Sequence, residues 1–323
     1  MIRYGILGCG GHALQSHALP GTLVKEMKLT AICDVNPRSM DSFMPEFGER
    51  VQRFTNEQDF FKSGIDAVIV STPDEFHINN MGAAINARKH MLIEKPLANT
   101  KAELITLRHL LNSAKQEKLV VTSCHPRRFD DPFLWLKKET PRLISELGRV
   151  MNFEFWFEYH RPTAEWKHKR SLMLDHLNHE IDLLHFLYGH NPFKAVRDTD
   201  SFDHYQVTGS RQDGITFCFH GSRKREERVF HEWVKINHEH GQVIVSTDTG
   251  KADITHNNDG RVVVEACGPT NYFQRGYGVM QNFADTILGN AENYLLPEDL
   301  WINNWLGVYL ATTSFAKTPT EAR

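Results

Sequence analysis

Cysteine is scarce in this chain. Five stand among 323 residues, at Cys9, Cys33, Cys124, Cys218 and Cys267, and no two form a C-x-x-C pair. An odd number so widely spaced excludes a disulfide framework, and buried, reduced thiols are expected, as in the cytoplasm. Long apolar runs are missing too. None approaches the roughly 20 residues of a transmembrane helix, and no basic stretch leads into an apolar one at the N-terminus. Neither a membrane span nor a Sec-type signal peptide is therefore expected. Charge of one sign is not in excess: 37 Lys and Arg against 40 Asp and Glu leave a formal charge of −3. That excludes a strongly basic face, and nucleic acid as a partner with it. Internal repeats and low-complexity segments are absent from the sequence as well.

What is present describes a folded α/β protein. Hydrophobic residues make up 41% and charged residues 24%, and 323 residues are too many for one ordinary core. Two domains are expected, over 1–124 and 125–323, with the last helix able to return to the first. The first half alternates apolar strands with helical stretches: Leu29–Cys33, Asp66–Ser71, His90–Ile93 and Leu119–Cys124 as strands, Ile78–Ala87 and Lys101–Glu117 as helices. A doubly wound, mostly parallel Rossmann sheet follows from that alternation. The second half reads as an α+β domain with a large, mostly antiparallel open sheet, its turns marked by Asp213-Gly214, His240-Gly241, Thr249-Gly250 and Asp259-Gly260. Within it Val150–Tyr159 alternates, with Met151, Phe153, Phe155, Phe157 and Tyr159 expected on one face. Leu172–Leu187 reads as a helix, and Gly278–Leu288 and Glu298–Lys317 as closing helices.

The chain is organised around Gly8-Cys9-Gly10-Gly11-His12-Ala13, where the apolar run from residue 2 to Leu7 breaks into glycines. Gly8 permits the tight turn, Gly10 lets a pyrophosphate approach the backbone, and Ala13 occupies the small-residue place of a dinucleotide fingerprint. The helix that begins there, expected over His12–Lys25 and disturbed at Pro20, offers N–H groups to the phosphates. Asp34 ends the second strand, 26 residues after Gly8, where a carboxylate accepts both hydroxyls of the adenosine ribose. It would repel a 2′-phosphate, so NAD is favoured over NADP. Polar groups at Gly8–Gly11, Asp34, Ser71–Pro73, Glu94–Lys95 and His125–Arg128 all follow strand ends, which is where ligands bind in open α/β sheets.

Two further elements carry a family resemblance: Glu94-Lys95-Pro96 after an apolar strand, and a helix reading Asp175-His176-Leu177-Asn178-His179-Glu180-Ile181-Asp182. With the glycine fingerprint, Asp34, Ser71-Thr72-Pro73 and His77, they make the chain resemble the Gfo/Idh/MocA family of nucleotide-dependent oxidoreductases over nearly its whole length. The resemblance implies hydride transfer between nicotinamide and a secondary carbinol of a sugar or cyclitol. It implies a homo-oligomer, a homodimer or homotetramer, joined through the C-terminal sheet. It places Gly8, Gly10, Gly11, His12, Ala13, Asp34, Ser71, Thr72, Pro73, His77, Glu94 and Lys95 about the cofactor. His179 becomes the general acid/base with Asp175 and Asp182 on the same helical face, and Lys95 the cation on the reacting oxygen. Arg128, Trp166, Asp175, Lys95 and His179 are the substrate candidates. The chain departs from the family at Leu177, where glycine is usual, which reshapes the pocket.

Other readings of the same residues stay open. His176, His179 and Asp182 have zinc-ligand spacing, but with a Rossmann half in front of them no metal is expected. The basic residues Arg127, Arg128, Arg161, Lys167, Lys169 and Arg170 suit either an anionic substrate or solvent. Trp156 and Trp166 suit a sugar face or a core. A non-catalytic sensor of dinucleotide or sugar could use the same scaffold, as could an enzyme that oxidises only transiently, on the way to elimination, epimerisation or glycoside cleavage.

Overall fold

A computed structural model describes residues 1–160, 171–223 and 231–318. The chain divides into two compact units, Met1–Pro126 with Tyr272–Trp305, and Arg127–Asn271 with Leu306–Arg323. The second division falls inside the helix Pro297–Thr312.

The first unit is built on a six-stranded sheet, β1 (Ile2–Leu7), β2 (Met27–Cys33), β3 (Gln52–Phe54), β4 (Ala67–Val70), β5 (His90–Ile93) and β6 (Val121–Ser123), in the order β3-β2-β1-β4-β5-β6. Every pairing is parallel. The central strands are buried on both faces, which is why they read as unbroken apolar runs. Order reverses between β1 and β4, so the glycine turn after β1 sits at the switch point where such sheets bind ligands. Thr100 opens the helix Lys101–Gln116 with a capping box to Glu103.

The helix after the glycine turn is shorter than expected, covering residues 11–21, and is π-helical over Leu14–Ala18. Pro20 has no N–H for the Ser16 carbonyl four residues back, and its ring crowds that oxygen. The turn therefore widens before the proline rather than at it. The helix Tyr272–Leu288 packs on this segment through Gly276, where a Cβ would stand 2.6 Å from the Ser16 carbonyl oxygen.

The second unit carries a nine-stranded sheet: β7 (Val150–Glu158), β8 (Phe193–Ser201), β9 (His204–Arg211), β10 (Thr216–Ser222), β11 (His231–His238), β12 (Gly241–Ser246), β13 (Lys251–His256), β14 (Val262–Ala266) and β15 (Phe315–Lys317). Their order is β14-β13-β12-β11-β7-β10-β9-β8-β15. All neighbours are antiparallel except β7 and β10. Phe153, Phe155 and Phe157 point inward beneath the helices Asp131–Leu147 and Leu172–Tyr188. Both helices stop at a glycine of positive φ, Gly148 (+80°) and Gly189 (+73°), as C-terminal caps do.

Two expectations fail here. Met151 does not join the inward face and is 39% exposed. The ladder to β11 slips between Asn237 and His238, which pair with Asn152 and Val150, so Met151 is passed over and Val150 turns in. The closing helix does not run on to Lys317 as one piece. It ends at Thr312, and Phe315–Lys317 instead pairs with Lys194–Val196 at the sheet edge. Thr313 gives its N–H to the Tyr309 carbonyl, the last such bond, and its hydroxyl also reaches the Phe315 carbonyl oxygen beyond the helix end.

Candidate active site

In the first unit the groups at Gly8–Gly11, Asp34, Ser71–Pro73 and Glu94 adjoin one another, whereas Arg127 and Arg128, expected with them, belong to the second unit. Gly8 has φ +92°, and a Cβ there would stand 2.6 Å from the Ser71 carbonyl oxygen and the Thr72 nitrogen. No other residue fits this turn. Gly10 and Gly11 are different: a Cβ on either would meet no protein atom within 4 Å, so the backbone is open to an incoming group. Asp34 faces the same turn. Its Oδ2 accepts the Cys9 N–H at 2.8 Å and its Oδ1 accepts the Asn36 N–H at 2.8 Å. The carboxylate is thus held by backbone donors, and each oxygen keeps a lone pair for a hydroxyl. A dinucleotide fits these residues: open glycine backbone for the pyrophosphate and an oriented carboxylate for the ribose.

The Ser71–Pro73 loop is braced from behind. His77 is buried, with Nε2 2.9 Å from the Thr72 carbonyl oxygen and Nδ1 2.8 Å from that of Pro96. The ring ties this loop to the Glu94-Lys95-Pro96 turn, so it shapes the cofactor face from the interior. Thr72 donates its hydroxyl to Asn80, and Asn80 donates to Glu57. After the turn, the Leu97 N–H donates to Asn304 at 2.7 Å. Lys95 is half-buried at the end of β5.

Glu94, beside it, is 8% exposed and receives two imidazoles on one oxygen. His12 Nε2 lies 2.9 Å and His17 Nε2 2.6 Å from Oε1. Burial alone would raise the Glu94 carboxyl, but the two histidines pull it well below the usual carboxylate range. Cys124 donates its S–H to the same carboxylate, and burial together with that charge pushes the thiol up. Nothing in the sequence signals this cluster, because His12 and His17 are five residues apart, a spacing that only the π-turn brings to one side.

In the second unit the helix Leu172–Tyr188 is buried on nearly every side. His179 is 8% exposed and Asp175, one turn earlier, is half-buried. His176 is enclosed by a network that sequence reasoning does not find. Arg127 Nη2 donates to His176 Nε2 at 3.1 Å, which leaves the ring proton on Nδ1, donated to Glu180 Oε1 at 2.5 Å. The Tyr205 hydroxyl donates to the same oxygen at 2.7 Å. Arg127 also pairs with Glu232 at 2.5 Å. Phe157 stacks on the His176 ring at 3.6 Å, and the His179 ring meets it edge-on at 5.2 Å. Burial pushes the Glu180 carboxyl up to about 8, against Arg127 and the Tyr205 hydroxyl, which favour the carboxylate. Only the i, i+4 spacing of His176 and Glu180 signals any of this in the sequence.

Arg127 and Arg128, offered by the sequence to an anionic substrate, are both committed to carboxylates of their own unit. Arg128 gives Nε and Nη2 to the two oxygens of Asp182, at 3.0 and 2.8 Å, and lies over Phe186. His176 uses both nitrogens and Asp182 both oxygens in this way, so His176, His179 and Asp182 are not assembled as a zinc set. Trp156 faces away from the core, stacked between His220 at 4.0 Å and Trp233 at 5.1 Å. Trp166 and the basic residues Arg161, Lys167, Lys169 and Arg170 lie outside the described residues.

Comparison with known proteins agrees with the geometry. Residues 2–124 match the oxidoreductase family with an NAD-binding Rossmann fold, Gfo/Idh/MocA. The scyllo-inositol 2-dehydrogenase (NADP(+)) of Bacillus subtilis is 29% identical over 223 residues, covering 64% of this chain and 59% of that protein. Glucose-6-phosphate 3-dehydrogenase of Bacillus subtilis is 32% identical over 200 residues, covering 58% of this chain and 54% of that one. The chain spans about three fifths of the length of the first of these relatives. Among solved structures, an oxidoreductase from Agrobacterium radiobacter in complex with NAD+, L-tartaric acid and magnesium superposes with a TM-score of 0.83 at 16% identity, over 98% of both chains. Levoglucosan dehydrogenase in complex with NADH and levoglucosan gives 0.81 at 17%, over 99% of this chain and 100% of that one. Those likenesses establish the shared fold. Among the described residues no helix is long and apolar enough to cross a membrane. The glycine turn and the oriented Asp34 both lie within residues 2–124, the stretch that matches the Gfo/Idh/MocA oxidoreductase family with its NAD-binding Rossmann fold.

Proposed function

We propose that the chain is an NAD-dependent dehydrogenase acting on a secondary carbinol of a sugar, cyclitol or sugar derivative. The bound nicotinamide supplies the hydride acceptor. The chain's own residues hold and move the proton. His179 takes the carbinol proton, Asp175 orients that imidazole, and Lys95 stabilises the negative charge developing on oxygen. The observation that carries this reading is the division of labour between two neighbouring histidines. His176 has both nitrogens engaged by Arg127 and Glu180, so the acid/base role is assigned to His179, whose ring meets that of His176 edge-on at 5.2 Å.

NAD is preferred to NADP because the Asp34 carboxylate, held by two backbone N–H groups, repels a 2′-phosphate. Five free thiols fit a reducing, cytoplasmic setting. The outer face of the nine-stranded sheet, with its stacked Trp156, Trp233 and His220, suits a second copy of the chain. Light scattering at micromolar concentration should show a dimer or tetramer, and a monomer would remove that idea. The reaction is tested with a panel of cyclitols, sugars, sugar acids and nucleotide-sugars, following NADH absorbance and product mass together. Oxidation of at least one carbinol is expected. Tight NAD binding without turnover on any member of the panel would favour a sensor instead.

A further inference from the structure

The dehydrogenase reading makes no use of His12 and His17 as a pair. In a regular α-helix five residues turn through about 140° beyond a full turn, which separates such side chains. The π-turn at Leu14–Ala18 brings both to one side, and turns of this kind recur at functional sites. The two Nε2 atoms and a Glu94 carboxylate oxygen lie within 4.8 Å of one another, so three ligand-type atoms already converge.

We propose that His12, His17 and Glu94 form a binding site for a divalent transition metal of the zinc class, and that the metal and NAD exclude each other. Two imidazoles and one carboxylate, with a fourth position left to water, make a set that zinc accepts. Magnesium and calcium require mostly oxygen and would be poorly served. Zinc bonds of about 2.0–2.1 Å place neighbouring ligand atoms about 3.3 Å apart in a tetrahedron. The hydrogen-bonded separations here are 2.9 and 2.6 Å, so the cluster must open slightly. The His12 side chain, 63% exposed, has room to retreat.

The protons can be placed. A metal on each Nε2 leaves the ring proton on Nδ1. For His12 that proton faces the Ser16 hydroxyl oxygen at 3.2 Å, the kind of outer hydrogen bond that fixes a ligating imidazole. For His17 it falls on a buried Nδ1 with no hydrogen-bond partner, which holds the affinity to the order of micromolar rather than nanomolar.

Exclusion follows from shared residues, and in this the inference rests on the dehydrogenase reading of Glu94 and His12 as neighbours of the cofactor. His12 follows directly on the open Gly10-Gly11 backbone, and Glu94 adjoins Lys95. A metal that holds both would lock the turn against the dinucleotide, and by linkage each ligand weakens the other by the same factor.

The test uses the apoprotein, titrated with zinc chloride by calorimetry and with cobalt chloride by visible absorption. The wild type should bind zinc with a Kd on the order of micromolar and show tetrahedral cobalt bands. His12→Ala, at an exposed position that should not disturb folding, should weaken zinc at least tenfold; His17→Gln should do the same if its thermal melt shows it folded. Zinc at ten times its Kd should raise the apparent Kd for NAD about tenfold. A wild type that binds no zinc, or one whose affinity is unchanged by His12→Ala, overturns the site. An NAD affinity indifferent to saturating zinc overturns the exclusion. No sugar enters these measurements, so a chain that binds zinc here yet oxidises no carbinol would keep this inference and lose the dehydrogenase reading.

Discussion

The two units hold their candidate functional groups by different means. At the glycine turn of the first unit, Asp34 is oriented by two backbone N–H groups and the Ser71–Pro73 loop abuts Gly8 with its own backbone. In the second unit, the surroundings of His179 are fixed by side chains alone: Arg127, Glu232, His176, Glu180 and Tyr205, all buried, with each charge answered by another. Backbone scaffolding costs little to build and tolerates changes of side chain. A buried ionic network tolerates almost none, because the loss of one member strands the rest.

That contrast can be broken most forcefully at Arg127. Arg127→Ala should lower stability by about 3–5 kcal/mol in urea unfolding, since Glu232 would remain buried and unpaired. The double variant Arg127→Met/Glu232→Leu should recover most of that loss; if it is no more stable than the single variant, the network is not electrostatic in origin. Next comes its pH dependence. The Glu180 carboxyl is raised to about 8 in the folded protein, so its stabilising contribution is complete below the unfolded value near 4.5 and is lost as pH rises through the folded one. Stability should fall by on the order of 5 kcal/mol across that window, and Glu180→Gln, which keeps an acceptor for Tyr205, should flatten the curve.

The proposed catalytic roles are tested next. His179→Ala should lower kcat by roughly a hundredfold or more, and Lys95→Ala by at least as much, with NAD affinity by calorimetry nearly unchanged. Near-normal turnover in His179→Ala would end its role as the base. The glycines then sharpen the backbone side of the comparison. Gly8→Ala should destabilise by about 2 kcal/mol, from positive φ and collision with Ser71. Gly10→Ala should leave the melting temperature where it is and weaken NAD, because its Cβ enters only the space meant for the pyrophosphate. The smallest effect is expected at Asp34. Asp34→Ala should narrow the preference for NAD over NADP by about tenfold, or 1.4 kcal/mol, measured as the ratio of the two dissociation constants.

The first unit is legible because its function is written in local motifs. A glycine that must have positive φ, a carboxylate at a strand end and a Glu-Lys-Pro turn each announce themselves within a few residues, and parallel strands then bring them to one edge. Even there the sequence goes only part of the way: it marks Pro20 as a disturbance, but not that the helix widens ahead of the proline and brings His12 and His17 to one carboxylate. In the second unit, the helix Leu172–Tyr188 is legible as a helix but not as a buried one. Arg127 and Arg128 look like free cations because their partners, Glu232 and Asp182, stand 105 and 54 residues away.

By itself, then, the sequence determined the element types, the parallel and antiparallel halves, the cofactor turn and the residue types able to move a proton. Periodicity, turn chemistry and short motifs act over a few residues and need no knowledge of the rest of the chain. Tertiary structure alone decided which charged groups neutralise one another, that both nitrogens of His176 are engaged, where the β7 ladder slips past Met151, and that Phe315–Lys317 closes a sheet edge. Those outcomes depend on burial, and burial makes an unpaired charge or an unsatisfied backbone group so costly that partners are recruited from anywhere in the fold.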